Sequence, residues 1–216
     1  MNESHGTSAP SPDLWAWTET FVPESAAAAA AREQAAGAGL ASVSRGSASL
    51  LTLLARTVSA RAVVEIGTGS GVAALALFDG MAPNGVLTSV DPEAEDQVHA
   101  RRTLLAAGIP SNRFRLITGR PLDVLPRLSD GVYDLVLVTG DKLEYVEYVA
   151  QALRLLRPGG LVVLEDVLWS GRTADASNEE DETIVIREAL EAVADSEELT
   201  YALLPVGDGV LVAVKH

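Results

Sequence analysis

The chain is predicted to fold as one α/β domain on a mostly parallel sheet of seven strands, with helices on both faces and an antiparallel hairpin at the end. Two observations predict it. From Arg61 onward, short β-branched runs alternate with helical stretches, the pattern of a parallel sheet covered on both sides. After Asp166 the alternation gives way to a loop, one helix and two strands joined by a Gly-Asp-Gly reversal.

The elements follow in order. Residues Met1 to Pro12 are polar and interrupted by Pro10 and Pro12, and 1–23 reads as a flexible lead-in to a single domain over 24–216. Ser25 to Ala36 has high helix propensity and is stopped by Gly37 and Gly39. A second helix is expected over Ser47 to Val58, where Leu50, Leu51, Leu54 and Val58 share a face. These two helices, within 24–60, precede the first strand and cap it. Parallel strands are expected at Ala62 to Ile66, Val86 to Val90, Phe114 to Thr118, Asp134 to Val138 and Leu161 to Glu165. Helices fall between them near Val72 to Met81, Glu93 to Ala107, Leu122 to Leu128 and Leu143 to Leu156. A last helix near Glu182 to Ala194 leads to strands Leu199 to Leu204 and Val210 to Val214.

Composition narrows the function. The 216 residues contain no cysteine, which excludes disulfides, thiolate metal sites and cysteine nucleophiles. Sixteen basic residues stand against 30 acidic ones, a net charge of -14 that repels polyanions, so nucleic acids and anionic membranes are not expected partners. Met1 to Thr20 has no Lys or Arg and no apolar core of a secretory signal. No apolar run approaches the roughly 18 residues of a membrane span. The cytoplasm is the expected compartment.

The most informative segment is Val63 to Val72, VVEIGTGSGV, where a buried strand runs into Gly67, Gly69 and Gly71. Glycines there let the chain turn sharply off the strand end and let a ligand approach the backbone. The spacing is G-x-G-x-G, with Val72 where the dinucleotide fingerprint has its third glycine. Asp91 ends the next strand, LTSVD, and is placed to accept hydrogen bonds from both ribose hydroxyls of a nucleoside, or else to cap the following helix. Glu65, beside the loop, suits a cationic amino-acid and sulfonium ligand and disfavours a pyrophosphate.

Six segments taken in order, VVEIGTGSG, LTSVDPEAE, RFRLITGRPLDVLPRL, YDLVLVTGDK, ALRLLRPGGLVVLEDVLWSGR and LLPVGDGVLVAVK, carry a wider likeness. From Glu24 to Lys215 the chain resembles the bacterial O-methyltransferase family, related to catechol and caffeoyl-CoA O-methyltransferases, and most of all its actinobacterial branch. The resemblance implies a Rossmann-like class I methyltransferase that uses S-adenosylmethionine on a small, phenolic or catechol-like acceptor. It implies cofactor contacts from Val43, Glu65, Gly67, Thr68, Gly69, Asp91, Pro92, Gly119, Arg120 and Asp141, and from the backbone of Ala73, where relatives often have serine. Relatives often associate through their N-terminal helices and terminal hairpin, so a homodimer is expected.

Methyl transfer to an oxygen needs a donor and acceptor held in line and a base for the acceptor proton, because a phenol has a pKa near ~10. Lys142 is the candidate base, with Asp141 beside it. It follows the fourth strand at the carboxyl edge of the sheet and is one of only two lysines, the other being Lys215. In catechol-type relatives a lysine at the matching place is the base. Metal-dependent relatives carry Asp-x-Asp-Lys here and Asp-Asn after the next strand. This chain has Thr139-Gly140-Asp141-Lys142 and Glu165-Asp166 instead, so a carboxylate is missing at Thr139. Glu165 and Asp166 remain candidate ligands for Mg²⁺, and weak, dispensable or absent metal binding is expected. Thr139 and Trp169 are candidate substrate contacts, the latter by stacking on a planar acceptor. Two other readings stay open: a protein that binds the cofactor but has lost methyl transfer, and an NAD-dependent oxidoreductase.

Overall fold

The computed structural model describes residues 11–216. The part of the expected lead-in over residues 1–10 lies outside the described residues. Within the rest of it stands a helix that the sequence reading did not place, α1 (Pro12–Phe21). Its start has physical signals: Ser11 Oγ accepts the Leu14 amide, and Pro12 occupies the first turn, where its missing N–H costs nothing. Glu19 ties α1 to the body, accepting the amides of Gly46 at 2.7 Å and Gly207 at 3.0 Å.

Two further helices precede the sheet, α2 (Ala26–Gly37) and α3 (Arg45–Thr57). Ser25 caps α2 as its sequence suggests, whereas α3 begins earlier than expected because Ser44, not Ser47, accepts at its N-cap. The parallel strands are β1 (Ala62–Ile66), β2 (Val86–Asp91), β3 (Phe114–Thr118), β4 (Tyr133–Val138) and β5 (Leu156–Glu165). They are separated by α4 (Val72–Gly80), α5 (Ala94–Ala106), the four-residue α6 (Pro121–Val124) and α7 (Tyr145–Leu155). α8 (Asp181–Ala194) then leads to β6 (Leu199–Leu204) and β7 (Val210–Lys215).

The helix expected over Leu122 to Leu128 is divided, since it changes at Leu125 to a 3₁₀ turn containing Pro126, which has no N–H to continue an α-helix. Strand β5 starts five residues earlier than expected, Leu156 pairing with Tyr133 across a register irregularity.

The sheet order is β3-β2-β1-β4-β5-β7-β6, parallel except for β7, which runs antiparallel to both β5 and β6. Alternate side chains serve opposite faces. Val63, Leu135, Leu137, Leu161 and Val163 pack with α3 and α4, while Val64, Val136, Val138, Val162 and Leu164 pack with α7 and α8. Both faces are thus covered, which explains why the strands read as nearly continuous apolar runs. Because β1 neighbours both β2 and β4, the connections leaving β1 and β4 diverge to opposite faces and open a crevice at the carboxyl edge.

Candidate functional site

A cavity of about 520 Å³ occupies that crevice. Its floor is the loop after β1. Gly67, Gly69 and Gly71 have φ of 93°, 45° and 77°, the left-handed region in which a side chain is strained. A Cβ on Gly67 would fall 2.7 Å from both Gly140 N and Thr139 Oγ1, so the backbones after β1 and β4 touch only because that residue is glycine.

Asp91 braces this loop. Its Oδ2 accepts the amides of Thr68 at 2.7 Å and Gly69 at 3.4 Å, and its Oδ1 accepts the Glu93 amide at 2.8 Å. It therefore supports the start of α5 while also lining the cavity. Of the residues expected at a cofactor, Val43, Gly67, Thr68, Gly69, Ala73, Asp91, Pro92, Arg120 and Asp141 line this one cavity, and Thr139 joins them. Gly119 is not on its wall.

Glu65 departs from its expectation. It is fully buried beneath the loop, where Ser89, its partner across the β1–β2 register, donates to it at 2.5 Å. Burial pushes its carboxyl up to about 8, with Asp91 adding to the rise and the Ser89 hydrogen bond opposing it. Its surroundings thus favour the neutral form of Glu65. The cavity's charge comes from its walls instead: Asp91, Asp96, Asp141, Glu144 and Asp166 face it against the single guanidinium of Arg120. Burial and the neighbouring Asp91 and Glu93 push the Asp96 carboxyl upward, as a crowded acidic rim must.

Lys142 lies four residues beyond the end of β4, in a 3₁₀ turn capped by Asp141, whose Oδ1 accepts the Leu143 amide at 3.0 Å. Its side chain is only 9% exposed. Nζ donates to Tyr145 Oη at 2.5 Å, and Tyr145 Oη donates in turn to the carbonyl of Glu165 at 3.0 Å. Asp166 Oδ2 lies 3.5 Å from Nζ and belongs to the cavity wall. Burial pulls the lysine below its ordinary range, while Asp166, Glu165 and Asp208 pull it back upward.

The two candidate metal ligands are parted. Asp166 turns to Lys142, whereas Glu165 is 1% exposed, accepts Ser47 Oγ at 2.9 Å on Oε2 and leaves Oε1 buried without a hydrogen-bond partner. Burial pushes Glu165 up to about 7. Thr139 Oγ1 is committed as a donor to the carbonyls of Gly67 at 2.8 Å and Ile66 at 3.2 Å. No cluster of three or more acidic or histidine side chains with metal-binding geometry occurs among the described residues. A buried carboxyl held by Ser47, a committed hydroxyl and a lysine-paired aspartate do not make the hard oxygen cage that Mg²⁺ needs. The donor set does not fit a divalent ion.

Trp169 also stands apart from the cavity. Its ring lies 4.7 Å from the Arg172 guanidinium carbon and 5.6 Å from Lys142 Nζ, and its Nε1 is buried. The indole is part-buried and lies beside the lysine, which is likewise not on the cavity wall. The sequence reading missed Tyr145, Tyr148, Ser42 and Ser70. Tyr148 lines the cavity and donates to Glu144 at 2.5 Å, and Ser42 and Ser70 join their hydroxyls at 2.8 Å on its wall. Only the Lys142/Tyr145 spacing of three, one helical turn, could have hinted at any of these.

No helix among the described residues is long and apolar enough to cross a membrane. Comparison with known proteins gives the family. The family model described as O-methyltransferase matches residues 24–216. A Mycobacterium sp. (strain JLS) protein named as an O-methyltransferase is 44% identical over 93% of this chain and 91% of its own. A Corynebacterium glutamicum crystal structure superposes with a TM-score of 0.87 at 35% identity, covering 94% of this chain and 95% of that one. The O-methyltransferase TomG from Streptomyces achromogenes, involved in tomaymycin synthesis and solved in complex with S-adenosylmethionine, gives a TM-score of 0.83 at 29% identity over 93% and 94%. Matched by the family model over residues 24–216 and by a 44% identical relative over 93% of its length, this chain belongs to the O-methyltransferase family.

Proposed function

We propose that this protein transfers a methyl group from S-adenosylmethionine to a hydroxyl of a small, phenolic or catechol-like acceptor, without a divalent metal. The observation that carries the cofactor assignment is the cavity's charge. Five carboxylates against one guanidinium favour a ligand bearing an ammonium and a sulfonium and disfavour the pyrophosphate of NAD. Gly67, Thr68 and Gly69 would hold the amino-acid end by close backbone approach, and Asp91 the ribose hydroxyls.

When bound, S-adenosylmethionine supplies the electrophilic methyl carbon. The protein's task is to orient the acceptor and remove its proton. Lys142 is the group for that: as a neutral amine it donates to Tyr145 and Asp166 and keeps one lone pair for the acceptor proton. Once protonated, it is compensated by Asp166. Burial favours the neutral form and the carboxylates favour the charged one, so the lysine is balanced to take up and release a proton.

The exposed apolar residues of α1, Leu14, Trp15, Trp17 and Phe21, together with Tyr201 and Leu203 of β6, support a homodimer as the working form. Light scattering at two concentrations tests it, and a strictly monomeric mass would remove the dimer.

Methyl transfer from labelled S-adenosylmethionine to a catechol panel, with Mg²⁺ or with EDTA, tests the function. Equal turnover in both arms is expected. Turnover only with Mg²⁺ would overturn the metal-free mechanism, and tight cofactor binding with no transfer to any acceptor would favour a protein that retains the cofactor but not the reaction.

A further inference from the structure

The Pro205–Gly209 reversal between β6 and β7 lies against the loop that follows β5. That loop is strained. Asp166, Trp169 and Ser170 have φ of 56°, 49° and 56°, three of the four non-glycine residues in the left-handed region among those described. Such conformations persist only where the surroundings hold them.

Beside contacts within the loop, such as Arg172 Nε donating to the Trp169 carbonyl at 3.0 Å, the reversal supplies three supports. Val167 N donates to the Gly209 carbonyl at 3.1 Å and Leu168 N to the Asp208 carbonyl at 2.8 Å. Ser170 N donates to the Asp208 carboxylate, 2.8 Å from each oxygen. Gly209 admits the approach, since a Cβ there would sit 2.4 Å from Leu168 Cγ. Asp208 is the only one of these supports that is a side chain, and its partner is the residue at the strained end of the loop. At the other end of the loop, Asp166 faces Lys142 at 3.5 Å.

We propose that Asp208 is a positioning residue for methyl transfer: by fastening the Ser170 amide it holds the left-handed Asp166–Ser170 loop and so keeps Asp166 against Lys142. The role rests on Lys142 and Asp166 being the reacting-centre pair proposed above. It also gives the Pro-Val-Gly-Asp-Gly reversal a function beyond turning the chain.

The test uses the full chain with substitutions Asp208→Ala, Asp208→Asn and Asp208→Ala combined with Ser170→Gly, each checked for folding by circular dichroism. If Asp208→Ala does not fold, Asp208→Leu, which fills the same space and has no acceptor, reads the same loss. Hydrogen exchange at 167–170 is read first, because it needs no turnover. Asp208→Ala is expected to lose protection there and to lower kcat about tenfold, the scale of a hydrogen bond to a charged group, with the KM for S-adenosylmethionine unchanged. Asp208→Asn keeps an acceptor and drops the charge, so it should retain most of the rate. Adding Ser170→Gly should restore part of it, since glycine adopts the left-handed φ without a Cβ penalty.

Unchanged exchange in Asp208→Ala, or a wild-type rate despite lost protection, overturns the proposal. An asparagine variant as slow as the alanine one with protection intact also overturns it, assigning the effect to charge. Absence of methyl transfer by the unaltered protein, or full activity in Lys142→Met, overturns the underlying function reading instead.

Discussion

Ser47 and Glu165, 118 residues apart in sequence and both nearly inaccessible, share a buried 2.9 Å hydrogen bond that draws the glutamate carboxyl toward α3. The side chain best placed by sequence to bind a cation is thereby used to join two structural elements. Methyl transfer should be unaffected by excess EDTA, and calorimetry should show no micromolar Mg²⁺ binding.

Lys142→Met should lower kcat by about 10²- to 10⁴-fold, the usual contribution of a general base, while S-adenosylmethionine binding persists. Lys142→Arg should not restore the rate, because a guanidinium stays protonated. Tyr145→Phe frees Nζ from its 2.5 Å partner and should slow the reaction less, about tenfold, with no further loss when added to Lys142→Met. Steady-state kinetics on the single and double variants checks both statements.

Gly67→Ala should abolish cofactor binding and destabilise the fold by about 1–3 kcal/mol, as strained or overpacked sites do. The added methyl meets the Gly140 amide and the Thr139 hydroxyl at 2.7 Å, so the β1 and β4 loops must part. Ligand titration and urea unfolding report the two effects separately.

Stability should fall as pH rises across neutrality. Glu65 and Glu165 are pushed up to about 8 and about 7 from an ordinary 4.5, so between those limits the folded chain holds protons that the unfolded chain has released. The stabilisation present at low pH is lost as each folded group ionises, at about 1.4 kcal/mol per unit of pKa difference. Urea melts at about pH 5.5 and about pH 8.5 should show a clear decline for the wild-type protein and a smaller one for Glu65→Gln.

Much of this architecture is legible in the sequence because its signals are local. The run at Leu135 to Val138 is apolar on both faces, and that at Val63 to Ile66 is apolar but for Glu65, as strands covered on both sides must be, and Gly67, Gly69 and Gly71 mark the turn by residue type alone. Asp91, Arg120 and Asp141 reach one cavity because strand ends of a parallel sheet converge on one edge. What was not legible depends on partners distant in sequence. Glu65 looks like a charged wall residue until Ser89 is seen opposite it across the register. The Ser47 bond that holds Glu165 from 118 residues away and the approach of Lys142 to the Trp169 ring are likewise absent from any local pattern. For α1 the signal is present in Ser11 followed by Pro12, but a proline marks a helix start and an irregular lead-in alike.

The position of β7 has a consequence for how the chain reaches this state. Although it follows every other strand in sequence, it lies inside the sheet, between β5 and β6. Until Val210–Lys215 has been made, β5 presents a row of unpaired amides and carbonyls along the apolar segment Leu161 to Leu164. That is the kind of edge that pairs with other chains. During synthesis, therefore, the nascent protein is most prone to aggregation after β5 has emerged and before β7 has, and a ribosome pausing within the α8 to β6 region would lengthen that interval.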